Sequence, residues 1–226
     1  MTLIYLLRHA ESNANVSGVL AGRMDGVALS NRGIRQSRQI AKVLKEEGFT
    51  RIYTSPLERC RQTIQPLLSI TGKRAVCMDA FLEMNYGDWS GKKLVNLRKE
   101  KIWRTIQNNP TMVTFPAGES FIAASNRIQR GLNQIAKKHP KGKVLVVTHG
   151  DPIKIALQLT LAGDLDKFQK IVIDPGSVSI IDWPNGVVLG VNFPVNGLKK
   201  KTNSPDKSKV ANRRILGGGT DVAHRL

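Results

Sequence analysis

The stretch that decides the fold is Leu3-Ile4-Tyr5-Leu6-Leu7-Arg8-His9, close to the start of the sequence. Its first five residues are apolar without interruption, which is typical of a strand buried on both faces of a sheet. The apolar run stops at Arg8 and His9. A buried strand is therefore predicted to present a guanidinium and an imidazole at its carboxyl end.

A second stretch of the same kind lies much further along, at Val144-Leu145-Val146-Val147-Thr148-His149-Gly150. Ligands of open α/β sheets bind at the carboxyl ends of the strands, near the point where the strand order switches. Two buried strands that both end in histidine are therefore expected to place His9 and His149 at one site.

Strand and helix patterns alternate over the rest of the chain, which indicates a three-layer α/β domain. Helical spacing and capping residues predict helices over residues 31–47, 56–71, 92–108, 119–139 and 152–161. Asp151 is the predicted N-cap of the last of these helices, with Pro152 in its first position. Short apolar runs predict strands over residues 51–54, 74–78 and 171–173, then a hairpin of residues 177–183 and 187–191. Residues 10–30 contain several glycines and predict a long functional loop.

Composition restricts the class of protein. A chain of 226 residues with 41% apolar and 23% charged residues suits one globular domain. No apolar run is long enough to cross a bilayer, and the start of the chain lacks the pattern of a signal peptide, so we expect a cytoplasmic protein. Cys60 and Cys77 match no metal or redox spacing and are expected to be buried or partly buried free thiols.

The charge of the chain is strongly positive, at +18, and +6 of it lies from Pro194 onward. Apolar periodicity also ends there, which predicts a domain of residues 1–193 and a basic, flexible tail of residues 194–226. A basic body favours anionic ligands such as phosphates, although the same charge attracts nucleic acid or an acidic membrane. A weak contact between the tail and polyanions is expected.

The helix predicted after residue 54 carries an unusual cation. Ser55 and Glu58 read as a capping box with Pro56 in the first turn, so Arg59 follows where the helix dipole disfavours positive charge. An anion bound at this helix start would compensate.

Two histidines and at least two arginines near strand ends and helix starts match the needs of phosphoryl transfer. The chain has no serine or cysteine nucleophile motif, no phosphate-binding loop ending in Lys-Ser or Lys-Thr, and no aspartate cluster for Mg²⁺. A histidine is therefore the remaining candidate nucleophile. By spacing alone, Arg23, Glu83 and Asp88 are as compatible with surface charges as with a function, and His139 is predicted to be exposed to solvent.

The sequence resembles the histidine phosphatase superfamily, in its phosphoglycerate mutase-like phosphatase branch, over about residues 2–192. Six motifs in the order typical of the family carry the resemblance: Leu7-Arg8-His9-Ala10-Glu11-Ser12 with Asn15, Gly22-Arg23-Met24-Asp25, Ser55-Pro56-Leu57-Glu58-Arg59, Leu82-Glu83 with Gly87-Asp88-Trp89-Ser90-Gly91, Gly118-Glu119-Ser120 and Val147-Thr148-His149-Gly150. The resemblance implies a three-layer α/β sandwich with a mostly parallel central sheet, an antiparallel edge and helices on both faces.

The resemblance also implies the roles of the phosphate-handling residues. His9 would be the nucleophile that becomes phosphohistidine. Arg8, Arg59 and His149 would hold the phosphoryl oxygens, with Asn15 as an additional donor.

Two further residues would act on the substrate. Glu83 would protonate the leaving alkoxide and then activate the water that hydrolyses the phosphoenzyme. Arg23 matches the position of a family residue that touches the substrate, whereas Asp88 would be a structural or surface residue.

Departures from the family pattern are few. Ala10 stands where glycine is usual and Ser90 where glutamate is common. Between Trp89 and Phe115 the chain lacks a longer insert that resembles the lid of the cofactor-dependent mutases, and an open pocket admits water as the phosphoryl acceptor.

The sequence therefore predicts a phosphomonoesterase that acts on a small phosphorylated metabolite, releases inorganic phosphate and needs no metal or cofactor. Two alternatives remain open at this point: a phosphoglycerate mutase of the same fold, and a basic protein that binds nucleic acid or acidic lipid and retains a vestigial site. The substrate and the choice between monomer and homodimer are also open.

Overall fold

A computed structural model of the protein describes residues 1–195. Six strands form one sheet: β1 (Thr2–Arg8), β2 (Arg51–Thr54), β3 (Ala75–Cys77), β4 (Lys143–Thr148), β5 (Ser177–Trp183) and β6 (Val187–Pro194). The α-helices of this part of the chain are α1 (Asn13–Ser17), α2 (Asn31–Leu44), α3 (Glu58–Thr71), α4 (Leu94–Leu97), α5 (Trp103–Asn108), α6 (Phe121–Lys138) and α7 (Gly150–Thr160).

The sheet has the order β3-β2-β4-β1-β5-β6. The first four strands in this order are parallel, and β5 and β6 form the antiparallel hairpin at the other side. β1 and β4 are neighbours, with Arg8 opposite Thr148. Because both are parallel and end together, the residues that follow them meet at one edge of the sheet.

Both faces of the sheet are covered, which confirms the three-layer prediction. Residues of β1 alternate between two apolar clusters, with Ile4 and Leu6 in one and Tyr5 and Leu7 in the other. The first cluster includes the buried faces of α6 and α7, and the second those of α2 and α3. The alternation follows the two-residue period of a strand.

The sequence predicted one long loop over residues 10–30, but part of this segment is helical. The short helix α1 lies within them, since Ser12 and Asn15 cap each other and Gly18 ends the helix in the left-handed conformation. The capping residues are close together in the sequence, but the helix that they start is only five residues long.

The prediction of a single helix over residues 92–108 is also wrong, because this segment forms two separate helices, α4 and α5. The helical face that begins at Leu94 and Leu97 would continue at Glu100 and Lys101, which are exposed charged residues. Apolar burial resumes only at α5, so one continuous helix would have no continuous face to bury.

Two helix starts differ from the prediction. α3 begins at Glu58, with Leu57 and not Ser55 as its N-cap. α7 begins at Gly150, with His149 and not Asp151 as its N-cap. In both cases the polar side chain that was expected to cap the helix instead contacts a residue of the site described below.

Three smaller predictions are also corrected. Both cysteines are free, but Cys77 is exposed and only Cys60 is buried. Residues 171–173 are not a strand but extended loop. His139 is only partly exposed, because Tyr53 Oη lies 2.9 Å from its Nε2.

Among residues 1–195, no helix has both the length and the apolar character needed to cross a bilayer. The predicted basic tail lies almost wholly outside the described residues, which end at Val195.

Candidate active site

A cavity of about 440 Å³ opens at the carboxyl ends of β1 and β4. Arg8, His9, Arg59 and Glu83 line it, together with Asn15 and a wall of mainly apolar and aromatic side chains. Residues from segments far apart in the chain therefore meet at the carboxyl ends of the two strands for which the sequence predicted a shared site.

His9 is held as a neutral imidazole. The side chain is 3% exposed, and its Nδ1 lies 2.7 Å from the carbonyl oxygen of Ala10. Because a carbonyl oxygen only accepts, Nδ1 carries the proton and Nε2 keeps a free lone pair. Burial and the charges of Arg59 and Arg8 hold the pKa of His9 well below its usual range. The ring is therefore ready to act as a nucleophile at neutral pH.

His149 lies next to His9, with ring centroids 5.2 Å apart. It is completely buried, and its Nε2 lies 2.8 Å from Ser55 Oγ. Burial, followed by the charge of Arg59, lowers the pKa of His149 as well. His149 forms the layer behind His9 and is not one of the residues that line the cavity. Ser55, which the sequence suggested as a helix cap, holds its ring in place.

Arg8 and Arg59 each leave one buried nitrogen without a hydrogen bond. Arg8 Nη1 donates to the carbonyl of Ile173, but Arg8 Nε has no partner. Arg59 is 2% exposed and donates through Nη2 to Gly22 O at 2.7 Å, whereas its Nη1 has no partner. An unpaired buried cation is costly. Because both arginines line one cavity, their incompletely paired positive charge indicates a binding site for an anion.

This arrangement predicts strong stabilisation by phosphate. Saturating inorganic phosphate is expected to raise Tm by about 5–10 °C, the shift that corresponds to a ligand at ~100 times its Kd. In Arg59→Met the shift should largely vanish, because one of the two unpaired nitrogens is lost. Thermal unfolding with and without phosphate measures it.

Arg61→Met is the matched control, since Arg61 lies on the same helix and is exposed. An equal phosphate effect in wild type and Arg59→Met would contradict the anion site.

Glu83 is a carboxyl group poised to exchange a proton. Its Oε1 accepts a hydrogen bond from the backbone N–H of Met84 at 3.0 Å. Burial and the negative charge of Asp151 raise the pKa of Glu83 to about 7, against the opposing charge of Arg59. Near neutral pH both the acid and the base form of Glu83 are present, as acid–base catalysis requires.

Asp151 and Tyr86 belong to the same site, and sequence reasoning gave neither a role there. Tyr86 Oη donates to Asp151 Oδ2 at 2.8 Å, and Lys154 Nζ lies 3.3 Å from Asp151 Oδ1. All three line the cavity. The Asp-Pro pair had suggested only a helix cap, which is a local pattern that does not reveal what faces it.

The remaining two residues named from the sequence take different positions. Asn15 lines the cavity, and its Oδ1 accepts from the backbone and hydroxyl of Ser12. Its amide N–H groups are the part that an anion can use. Arg23 does not line the cavity and instead donates to Glu83 O at 2.9 Å and to Glu119 Oε1 at 3.0 Å.

Taken together, the cavity is lined by a neutral imidazole, two guanidinium groups and a carboxyl group that is partly protonated near neutral pH. No three His, Cys, Asp or Glu side chains within residues 1–195 form a group that could hold a metal ion. The groups present suit the binding and transfer of a phosphoryl group.

Comparisons with known proteins point to the same chemistry. The chain is 34% identical over 198 residues to phosphoserine phosphatase 1 of Hydrogenobacter thermophilus, covering 85% of this chain and 93% of that protein. It is 33% identical over 158 residues to phosphoglycerate mutase-like protein 4 of Arabidopsis thaliana, covering 67% of each.

A solved structure shares the fold. The alpha-ribazole phosphatase from Shigella flexneri superposes with a TM-score of 0.76 at 24% identity, covering 85% of this chain and 96% of that one. The family model described as the histidine phosphatase superfamily (branch 1) matches residues 4–191. The chain belongs to the histidine phosphatase superfamily and is a phosphatase of that family.

Proposed function

We propose that this phosphatase hydrolyses a small phosphorylated metabolite in two steps through a phosphohistidine on His9, with Glu83 as the general acid and then the general base. The observation that carries the proposal is that Arg8 and Arg59, each with a buried guanidinium nitrogen that has no hydrogen-bond partner, line the same cavity as His9. They supply donors for phosphoryl oxygens beside a neutral nucleophile.

In the first step, Nε2 of His9 attacks phosphorus and the bond to the ester oxygen breaks. Arg8 and Arg59 take up the negative charge of the phosphoryl oxygens, and because they are fixed in place they need no reorganisation as that charge builds up. Glu83 gives its proton to the leaving oxygen, so the alcohol departs neutral. Phosphohistidine and the Glu83 carboxylate remain.

In the second step, the Glu83 carboxylate accepts a proton from a water molecule as that water attacks phosphorus. The bond between phosphorus and Nε2 breaks, inorganic phosphate is released, and Glu83 and His9 return to their starting states. Every proton is accounted for by Glu83. No metal or cofactor takes part in the proposed cycle.

A cavity of about 440 Å³ is large enough for a small phosphorylated metabolite. The name of the relative from Hydrogenobacter thermophilus makes phosphoserine one candidate substrate, and the name of the mutase-like relative makes a phosphoglycerate another. A panel for the enzyme therefore contains phosphoserine, 3-phosphoglycerate, ribose 5-phosphate, glucose 6-phosphate and 4-nitrophenyl phosphate.

The experiment that tests the proposal first measures phosphate release from each ester of the panel. The enzyme is then isolated during turnover of a substrate that carries a labelled phosphoryl group. We expect an acid-labile phosphoryl group on His9 that is discharged to water. Transfer of the label to phosphoglycerate in place of water would favour the mutase alternative. Turnover of none of the five esters would contradict the proposed function.

A further inference from the structure

Glu83 lies in a stretch of backbone that neither a helix nor a strand supports. Residues 82–86 run between the short 3-10 helices Asp79–Phe81 and Gly87–Trp89. Buried carbonyl and amide groups outside regular structure need other hydrogen-bond partners. Here three charged side chains from distant parts of the sequence supply many of them.

Arg127, on α6, binds three carbonyl groups of this stretch and the turn before it. Its Nη1 donates to Ala80 O at 2.9 Å and to Leu82 O at 2.8 Å, and its Nη2 donates to Glu83 O at 3.1 Å. The guanidinium is planar and its donors have fixed directions. One side chain therefore fixes the backbone on the N-terminal side of the Glu83 carboxyl group.

Glu119 holds Arg127 and the backbone on the C-terminal side. Its two oxygens accept from Arg127 Nε and Nη2 at 3.0 and 2.7 Å, a bidentate pair that fixes orientation as well as distance. Its Oε1 also accepts from Asn85 N at 2.9 Å. Although burial opposes it, the contact with Arg127 lowers the pKa of Glu119, so this carboxylate stays ionised.

Arg23 is the third charged side chain that binds this stretch. Its Nε is a second donor to Glu83 O, and its Nη2 reaches Glu119. The side chains of Glu119 and Arg127 are each 14% exposed, and that of Arg23 is 32% exposed. Arg23 is outside the cavity lining, and its two contacts support the backbone that carries Glu83.

The backbone of residues 85–87 also packs closely against the backbone of residues 116–118. A Cβ on Gly87 would lie 1.9 Å from Pro116 O, and one on Gly118 would lie 2.4 Å from Asn85 O. Side chains at these positions would push the Glu83 stretch away from the segment that leads to Glu119.

We propose that Arg23, Glu119 and Arg127, here called the Glu83 clamp, are positioning residues that set where the Glu83 carboxyl group meets the leaving oxygen. The inference rests on the proposed acid role of Glu83. A misplacement of about 1 Å at a reacting group can slow a reaction by about 100-fold. The clamp therefore matters most when the leaving group needs a proton.

The leaving group provides the test. An alkoxide needs the proton of Glu83, whereas 4-nitrophenolate is a good leaving group without one. In Arg127→Met, kcat/KM for the fastest alkyl phosphate of the panel is expected to fall by about 100-fold, because the acid is displaced. The value for 4-nitrophenyl phosphate should change no more than a few-fold. Glu83→Gln should show the same selective loss.

The ratio of the two kcat/KM values is the readout that a purely structural role would not move. Partial unfolding lowers both values equally in one sample and leaves the ratio unchanged. Arg130→Met is the matched control, since Arg130 is an exposed arginine on the same helix. It should leave both values at the wild-type level. Arg127→Lys retains the charge but not the fork, and we expect an intermediate ratio.

A double-mutant cycle then asks whether Arg127 acts through Glu83. If it does, adding Arg127→Met to Glu83→Gln costs little more for the alkyl phosphate, because the group being positioned is already gone. Equal losses for both leaving groups, or full additivity in the cycle, would overturn the inference while leaving the proposed phosphatase mechanism intact. A wild-type enzyme with no activity on the panel would instead overturn the proposed function, and this inference with it.

Discussion

Replacing His9 with alanine is expected to lower kcat/KM by about 10⁴-fold or more, because the nucleophile that forms the covalent intermediate is lost. The acid-labile phosphoryl group should be absent from protein quenched during turnover. Steady-state kinetics on the best substrate of the panel and intact-mass measurement of the quenched enzyme check both expectations.

The His9→Ala variant separates phosphate binding from catalysis. Arg8 and Arg59 remain in His9→Ala, so inorganic phosphate should still raise its Tm. His139→Ala serves as a second control, since His139 lies at the end of α6 and contacts Tyr53 outside the cavity lining. It should retain activity. Phosphate release by His9→Ala at close to the wild-type rate would exclude His9 as the nucleophile.

The meeting of His9 and His149 could be predicted because it follows from two local patterns and one general rule. Each strand is an apolar run that ends in histidine, and neighbouring parallel strands end at the same edge of a sheet. The backbone hydrogen bond from His9 N to Thr148 O, 2.9 Å long, continues the ladder of β1 and β4 up to the two rings. Short-range information was sufficient here.

Arg59 shows how far an energetic argument from the sequence can reach. A cation in the first turn of a helix suggested a nearby anion, although the predicted helix start was two residues too early. The structure leaves Arg59 Nη1 buried and without a partner. The helix-start pattern identified the residue, but only the folded chain shows that Arg59 lines a cavity together with His9.

The contacts of Arg23 could not be predicted from the sequence. Its motif resembles a family position that touches substrate, yet its guanidinium binds Glu83 O and Glu119. Glu119 is 96 residues away in the chain. The Glu83 stretch is held by side chains and not by a helix or strand, so no periodic pattern marks its partners. Contacts of this kind depend on the three-dimensional path of loops, which spacing does not encode.

The second large effect concerns Glu83. Glu83→Gln is expected to lower kcat/KM for alkyl phosphates by about 10²–10⁴-fold, the usual contribution of a general acid. In the wild type, the first step needs the protonated form of Glu83, whose pKa burial raises to about 7. The protonated fraction falls as pH rises through that value, so kcat/KM should decline above about pH 7. The decline should be absent from the residual activity of Glu83→Gln, which a pH profile measures.

Asp151 decides whether that decline belongs to Glu83. After burial, the negative charge of Asp151 is the largest contribution that raises the pKa of Glu83. Asp151→Asn keeps an oxygen to accept from Tyr86 but removes the charge, so the pKa of Glu83 falls and the decline moves to lower pH. Asp88→Asn removes an exposed charge and should leave the profile unchanged. The acid side is a poorer measure because a phosphate monoester itself titrates near pH 6. A decline that stays in place in Asp151→Asn, or that persists in Glu83→Gln, would assign the titration to another group and remove Glu83 from the role of acid.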